Sequence, residues 1–80
     1  MYEQIKKMYS EAANAIDQQE RGYRQANAAG QTVPYDLLVA ADELQEAANR
    51  ALREQWNSLS AHQRGALKRM YGDLMKEALA

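Results

Sequence analysis

The sequence predicts an all-α protein, a three-helix up-down-up bundle with an overlong first helix. Two observations support this prediction. Apolar residues recur at intervals of three and four in three successive segments, and this spacing places them on one side of a helix. Gly30 and the short stretch 56–60 separate the segments, and no segment is a strand candidate. A chain of 80 residues is expected to form a single helical domain, 1–80.

The first helix is expected to span about residues 2–29 and to overhang the other two. At about 1.5 Å per residue it would be roughly 40 Å long, against about 30 Å for each of the others. The second half of its apolar stripe contains few apolar residues, so Tyr23 either packs on the end of the bundle or reaches a partner. The overhang would fray, kink near Gly22 or pair with another chain. The stripe consists of Tyr2, Ile5, Tyr9, Ala12, Ile16, Gln19, Tyr23 and Ala26.

The second helix is expected to span about residues 34–56. Gly30 is suited to the left-handed residue that ends the first helix, and Pro34 is tolerated in a first helical turn. Asp36 adds a negative charge near the positive end of the helix. Alanines flank the leucine stripe, so the apolar arc is wide enough to contact two neighbours. We therefore expect this helix to lie centrally, with the third helix on its leucine flank and the first on its alanine flank.

The third helix is expected to span about residues 60–79, and Ser60 with Gln63 has the pattern of a capping box at its start. Its apolar stripe matches that of the second helix across a short corner. This match predicts an antiparallel hairpin over 36–80 as the organising element, with Trp56 covering the corner.

Two glycines, Gly65 and Gly72, lie seven residues apart on one face of the third helix. Glycine inside a helix costs about 1 kcal/mol relative to alanine, so a structural reason is expected. Close approach of another backbone is the usual reason, and that backbone belongs either to the first helix of the same chain or to a partner.

The composition limits the size of the core. There is no Phe, one Trp and five Tyr, and alanine supplies a large share of the apolar residues. A buried alanine contributes little beside the roughly 1.5–3 kcal/mol of a buried Leu or Ile. Tight helix packing and oligomerisation both increase burial at this size. We expect both, with the bundle associating as a dimer or a higher oligomer.

Charge and composition favour a cytoplasmic protein. The formal net charge is −1, so no global field draws the chain to nucleic acid or to an anionic membrane. No cysteine is present, which excludes a disulfide scaffold and is compatible with a reducing compartment. The N-terminus lacks the pattern of a signal peptide, and no window has the roughly 18–20 apolar residues of a membrane span.

No pattern in the chain predicts catalysis, a cofactor or a metal site. The single histidine, His62, lies in the first turn of a helix with no carboxylate at helical spacing. Asp42, Glu43 and Glu46 lack the alternation and the glycine of a calcium loop. No glycine-rich phosphate loop follows a strand. We therefore expect a protein without enzymatic activity, cofactor, metal ion or small-molecule substrate.

The favoured prediction is a non-enzymatic protein-binding module that acts through its helical faces. Such a module would be an adaptor, regulator or inhibitor of a larger assembly and would bind another protein, its own copy or both. An undersized core, an overlong first helix and tyrosines of the kind enriched at interfaces support it. The candidate protein contacts are Tyr2, Tyr9, Tyr23, Gly65, Lys68, Arg69 and Gly72.

Two alternatives are kept open. The first is a small nucleic-acid-binding regulatory protein, because cations gather at the corner between the second and third helices. Glu54 interrupts this group, and Glu46 is spaced to pair with the first of its arginines. The second is a small helical enzyme, although the apolar seams lack the inward-pointing Arg and Lys of a pocket for an anionic substrate. The candidate nucleic-acid contacts are Arg50, Arg53, Arg64, Lys68 and Arg69.

Overall fold

The structure, a computed structural model, describes residues 1–79, and within them it has three α-helices and no strand. The all-α bundle and its overlong first helix are confirmed. Ala80, the last residue of the expected domain 1–80 and of the expected hairpin 36–80, lies outside the described residues. The elements are α1, Tyr2–Ala29; α2, Tyr35–Gln55; and α3, Ala61–Met75, with a 3-10 turn over Trp56–Ser58 between α2 and α3.

The end of α1 has the geometry that its terminal glycine predicts. Gly30 has φ 67° and ψ 27°, the left-handed conformation that glycine adopts without a Cβ clash. The N–H groups of Gly30 and Gln31 donate to the carbonyls of Asn27 and Ala26, which satisfies acceptors at the helix end. Pro34 lies immediately before α2 rather than inside it. The chain therefore reverses direction within a few residues.

The C-terminal part of α1 and the N-terminal end of α2 approach closely at a glycine. A Cβ at Gly22 would lie 2.7 Å from Leu37 Cδ2, so glycine permits this approach. Nearby, Gln19 Nε2 donates to the carbonyl of Leu38 over 3.1 Å. The kink near Gly22, one of the three alternatives for the overhang, is absent, because α1 continues as one helix through Gly22. Leu37 was expected to face α3, so the assignment of the leucine flank to α3 is wrong at this position.

Lower in the bundle, one buried tyrosine joins all three helices. The hydroxyl of Tyr9 donates to Asn49 Oδ1 of α2, and both residues are buried. The ring of Tyr9 stacks on that of Tyr71 in α3, with ring centres 5.7 Å apart. Tyr9 of α1 contacts Asn49 of α2, whereas Gly22, later in α1, lies against Leu37, earlier in α2. α1 and α2 are therefore antiparallel.

The hairpin of α2 and α3 is not the organising element that the sequence predicts. α1 and α2 form the principal pair, and α3 makes fewer close backbone approaches to either helix. At the corner, the guanidinium of Arg64 donates to the Trp56 carbonyl over 2.7 and 2.9 Å. Farther along, Gln45 Nε2 donates to the Leu74 carbonyl over 3.2 Å. α3 therefore runs antiparallel to α2, which confirms the up-down-up order.

α3 starts as predicted and ends early. The N–H of Gln63 donates to Ser60 Oγ over 3.1 Å, and the N–H of Ser60 donates to Gln63 Oε1 over 3.0 Å, which completes the capping box. Tyr71 has φ −134° and ψ 25°, a non-helical conformation that kinks the helix. The helix therefore ends at Met75 instead of position 79. A turn follows it, and the redirected segment brings Met75 into the core.

The largest cluster of buried side chains lies in the half of the bundle that α3 covers. Trp56 packs against this cluster at the corner, as predicted. Asn49 is the one buried polar residue within residues 1–79, and its partner is Tyr9. The cluster consists of Ile5, Tyr9, Ala48, Leu52, Leu59, Leu67, Met75 and Ala78.

The two glycines of α3 do not serve a close approach of α1. A Cβ at Gly65 would meet only Arg69 Nη1, at an ordinary 3.7 Å, and a Cβ at Gly72 would have no atom of the described residues within 4 Å. The explanation by packing within the chain is therefore wrong for both. Gly72 directly follows the kink at Tyr71, where a helix is interrupted in any case.

The buried pair of Tyr9 and Asn49 gives the first prediction. The substitution Tyr9→Phe keeps the ring but leaves Asn49 Oδ1 buried without a donor, so we expect it to lower the free energy of unfolding by about 1–3 kcal/mol. Urea unfolding measures this change. Tyr23→Phe is the control, because Tyr23 is 43% exposed and its loss should stay within about 0.5 kcal/mol. Equal effects of the two substitutions would contradict the assignment.

The glycines give the second prediction. Gly65→Ala introduces a Cβ without a clash and should raise the free energy of unfolding by about 0.5–1 kcal/mol through helix propensity. Gly22→Ala gains the same propensity but forces Leu37 to move, so its net effect should be smaller or destabilising. Urea unfolding of the two variants side by side tests this difference, and a larger gain at position 22 would exclude the close approach.

Candidate protein-docking groove

An open groove runs between α1 and the second half of α3. It encloses about 450 Å³ beside the kink of α3, and side chains of both helices form its walls. Met70 is 46% exposed there, which is unusual for so large an apolar side chain. The apolar lining consists of Ala13, Ile16, Met70, Tyr71, Gly72 and Leu74.

The groove continues toward the N-terminus of α1. Tyr71 also lines this lower part, which encloses about 260 Å³. The lower part is polar, since its other lining residues are Glu3, Lys6, Lys7 and Ser10. We call the two parts together the α1–α3 groove.

The groove exists because α3 covers only the first part of the α1 stripe. Ile5, Tyr9 and Ala12 are at most 1% exposed beneath α3. Ile16, the next residue of the stripe, is half-buried, and Tyr23 is 43% exposed. The apolar stripe thus loses part of its cover where α3 kinks and ends, although Ala26, farther along α1, is buried.

The charged side chains of the groove are mostly cationic. Lys6 pairs with Glu3 over 3.9 Å, and Asp73 pairs with Lys76 over 3.6 Å, so the two carboxylates of the groove are engaged locally. No carboxylate of the described residues pairs with Lys7, Lys68 or Arg69. Positive charge therefore accompanies the apolar lining.

A second groove is lined mainly by negatively charged and polar side chains. It encloses about 510 Å³ between α2 and the turn after α3. Its carboxylates belong to Asp42, Glu46 and Glu77, and Arg53 is its one cation. Large apolar side chains are missing from its lining. This second groove has charged side chains but lacks the apolar surface that a protein-docking site needs.

The sequence-predicted protein contacts fall into four groups. Tyr9 was expected on a contact surface but is fully buried, because its hydroxyl and ring are both used inside the bundle. Tyr2 is half-buried against the core, and Gly65 is half-buried outside the groove. Tyr23 is exposed beyond the end of α3. The residues that line the groove are Lys68, Arg69 and Gly72.

The predicted basic corner is not one continuous surface. Arg64 caps the Trp56 carbonyl, and its guanidinium lies 4.9 Å from the centre of the Trp56 ring. Arg50 pairs with Glu46 over 3.7 Å, and Arg53 lies in the acidic groove. Of the five candidate nucleic-acid contacts, two line the α1–α3 groove, namely Lys68 and Arg69.

Sequence reasoning missed the apolar residues that make the groove. Met70 and Leu74 belong to the stripe of α3 and its flank, which the periodicity assigns to the core. They line a groove because Tyr71 interrupts the helix between them. Periodicity likewise assigns Ile16, in the α1 stripe, to the core. The unfavourable position of a glycine next to Tyr71 is the one local signal for this interruption.

Other kinds of site find no support in the described part of the chain. Over residues 1–79, no three His, Asp or Glu side chains are grouped closely enough to bind a metal ion. None of the helices in this range is both long and apolar enough to cross a membrane. Comparisons with models of protein families, with curated protein sequences and with solved structures find no match to this chain.

The buried tyrosine beneath the groove gives a prediction for alkaline pH. Burial raises the pKa of Tyr9 from 10.0 to about 12, and the positive charge of Arg53 opposes this rise. The folded state then holds a proton that the unfolded state releases, so stability is complete below pH 10.0 and falls as the pH approaches about 12. Urea unfolding as a function of pH should show a flatter profile for Tyr9→Phe, and identical profiles would exclude this origin.

Proposed function

We propose that this chain is a non-enzymatic, cytoplasmic protein-binding module whose α1–α3 groove receives a helix of another protein. Such a module would act as an adaptor, regulator or inhibitor of a larger assembly. The observation that carries the proposal is the loss of cover along the α1 stripe. Ile5, Tyr9 and Ala12 are at most 1% exposed, whereas Tyr23 is 43% exposed; Ala26, at the far end of the stripe, is buried again at 8%.

The shape and chemistry of the groove suit a helix. Two helices form its walls, and a third helix laid between them would complete the layer that α3 covers only in part. An amphipathic helix docks into such a groove by inserting apolar side chains at intervals of three and four residues. Gly72 adds room for close approach, because no atom of the described residues lies within 4 Å of the position of its Cβ.

The small buried core supports the same proposal. The buried cluster is small, with eight members within residues 1–79, and two of them are alanines. Met70, which lines the groove, is 46% exposed although it is large and apolar. Covering such side chains stabilises a complex by about 25 cal/mol for each square ångström of apolar surface removed from water. A partner would therefore supply burial that the chain lacks.

Site-specific photo-crosslinking tests this proposal. A benzophenone amino acid is placed at position 70, inside the groove, or at position 43, where the exposed Glu43 lies outside both grooves. After irradiation in the native host, we expect protease-sensitive adducts of defined mass from position 70 and few from position 43. Circular dichroism confirms that both variants fold.

The adducts also separate the alternatives. An adduct at twice the mass of the chain identifies a second copy, and a nuclease-sensitive adduct identifies nucleic acid. Either result from position 70, or equal labelling from positions 70 and 43, would contradict docking of another protein in the groove. The absence of any adduct from position 70 would contradict it as well.

A further inference from the structure

We infer that the helix received by the α1–α3 groove is acidic, with an apolar face flanked by Asp or Glu. This inference rests on the proposed function and adds the chemistry of the partner. Four cations and two carboxylates line the groove, although the chain as a whole has a formal charge of −1. Both carboxylates already pair with lysines three residues away in the sequence. The groove therefore offers positive charge to an incoming helix.

The cations that pair with no carboxylate of the described residues define how such a helix would lie, and one of them, Lys68, has its Nζ 5.5 Å from the centre of the Trp56 ring. Lys7 projects from α1 in the lower part of the groove, whereas Lys68 and Arg69 belong to α3 in the upper part. Cations thus stand on both walls, with Ile16, Met70 and Leu74 between the helices at the upper end. The groove follows α1 from Glu3 to Ile16, which is roughly 20 Å at 1.5 Å per residue. A helix of about 14 residues would fill it.

A second copy of this chain fits the groove poorly. A symmetric dimer through this surface would bring the same cations face to face, because a two-fold contact pairs each patch with itself. α2 carries five of the eleven acidic residues, but Tyr35 at its first turn is its one exposed large apolar side chain. α2 therefore does not present an apolar row flanked by acids.

A nucleic acid also fits poorly. Phosphates would pair with the cations, but they make no favourable contact with an apolar lining made of Ile16, Met70 and Leu74. The aromatic ring in the groove, that of Tyr71, is already stacked on Tyr9. Stacking of bases on aromatic side chains, the usual apolar contact with single strands, is therefore limited here.

A selection experiment tests the inference without knowledge of the partner. The probe is a displayed library of 14-residue peptides with leucine or isoleucine at helical spacing and free choice at the flanking positions. The immobilised full chain should enrich peptides with Asp and Glu over Lys and Arg at those positions. Enrichment of neutral or basic flanks would overturn the acidic partner and leave docking of a helix intact. Failure to enrich any helical peptide would overturn both.

Two charge reversals then locate the binding site of an enriched peptide. Arg69→Glu changes an exposed cation of the groove, whereas Arg24→Glu makes the same change on an exposed part of α1 outside it. Arg69→Glu should weaken binding about fivefold, the size expected from an exposed ion pair. Arg24→Glu should leave the affinity unchanged. Equal weakening by both would show that only net charge matters, and tighter binding of a 14-residue poly-dT oligonucleotide would favour nucleic acid instead.

Discussion

The inequality of helix lengths is the constraint on which the rest of the structure depends. α1 has 28 residues, α2 has 21 and α3 has 15, which corresponds to roughly 42, 32 and 22 Å. α2 can cover much of α1, but α3 cannot cover both. The molecule is therefore a three-helix bundle at one end and a helix pair at the other, with a greatest extent of 48 Å. The α1–α3 groove lies at the junction between these two regions.

Tyr9 determines where the covered region lies. Its ring stacks on Tyr71, and its hydroxyl donates to Asn49, so one side chain connects α1 to both of the other helices. A buried polar pair is specific, because a shift in the register of α1 against α2 would leave a buried atom without a partner. Tyr71 is also the residue at which α3 kinks. The contact that holds α3 in place thus coincides with the point beyond which α3 no longer covers the α1 stripe.

Much of the local structure could be predicted from the sequence, because a few adjacent residues determine it. Gly30 and the Ser60–Gln63 capping box act through hydrogen bonds within a few residues, and their predicted roles are confirmed. The errors concern contacts between distant residues. Gly22 looked like a kink but admits Leu37, and Tyr9 looked like a contact residue but has its partner forty positions away. The groove depends on such contacts and on the kink, so periodicity alone could not predict it.

The central claim is that α3 ends too early to cover the α1–α3 groove, and the oxidation rates of two methionines test it directly. Met70 is 46% exposed in the groove, whereas Met75, just past the kink, is fully buried. During mild treatment with hydrogen peroxide, followed by peptide mass mapping, Met70 should oxidise at least about tenfold faster than Met75. Equal rates, or protection of Met70 in the isolated chain, would show that the groove is closed and would contradict this account.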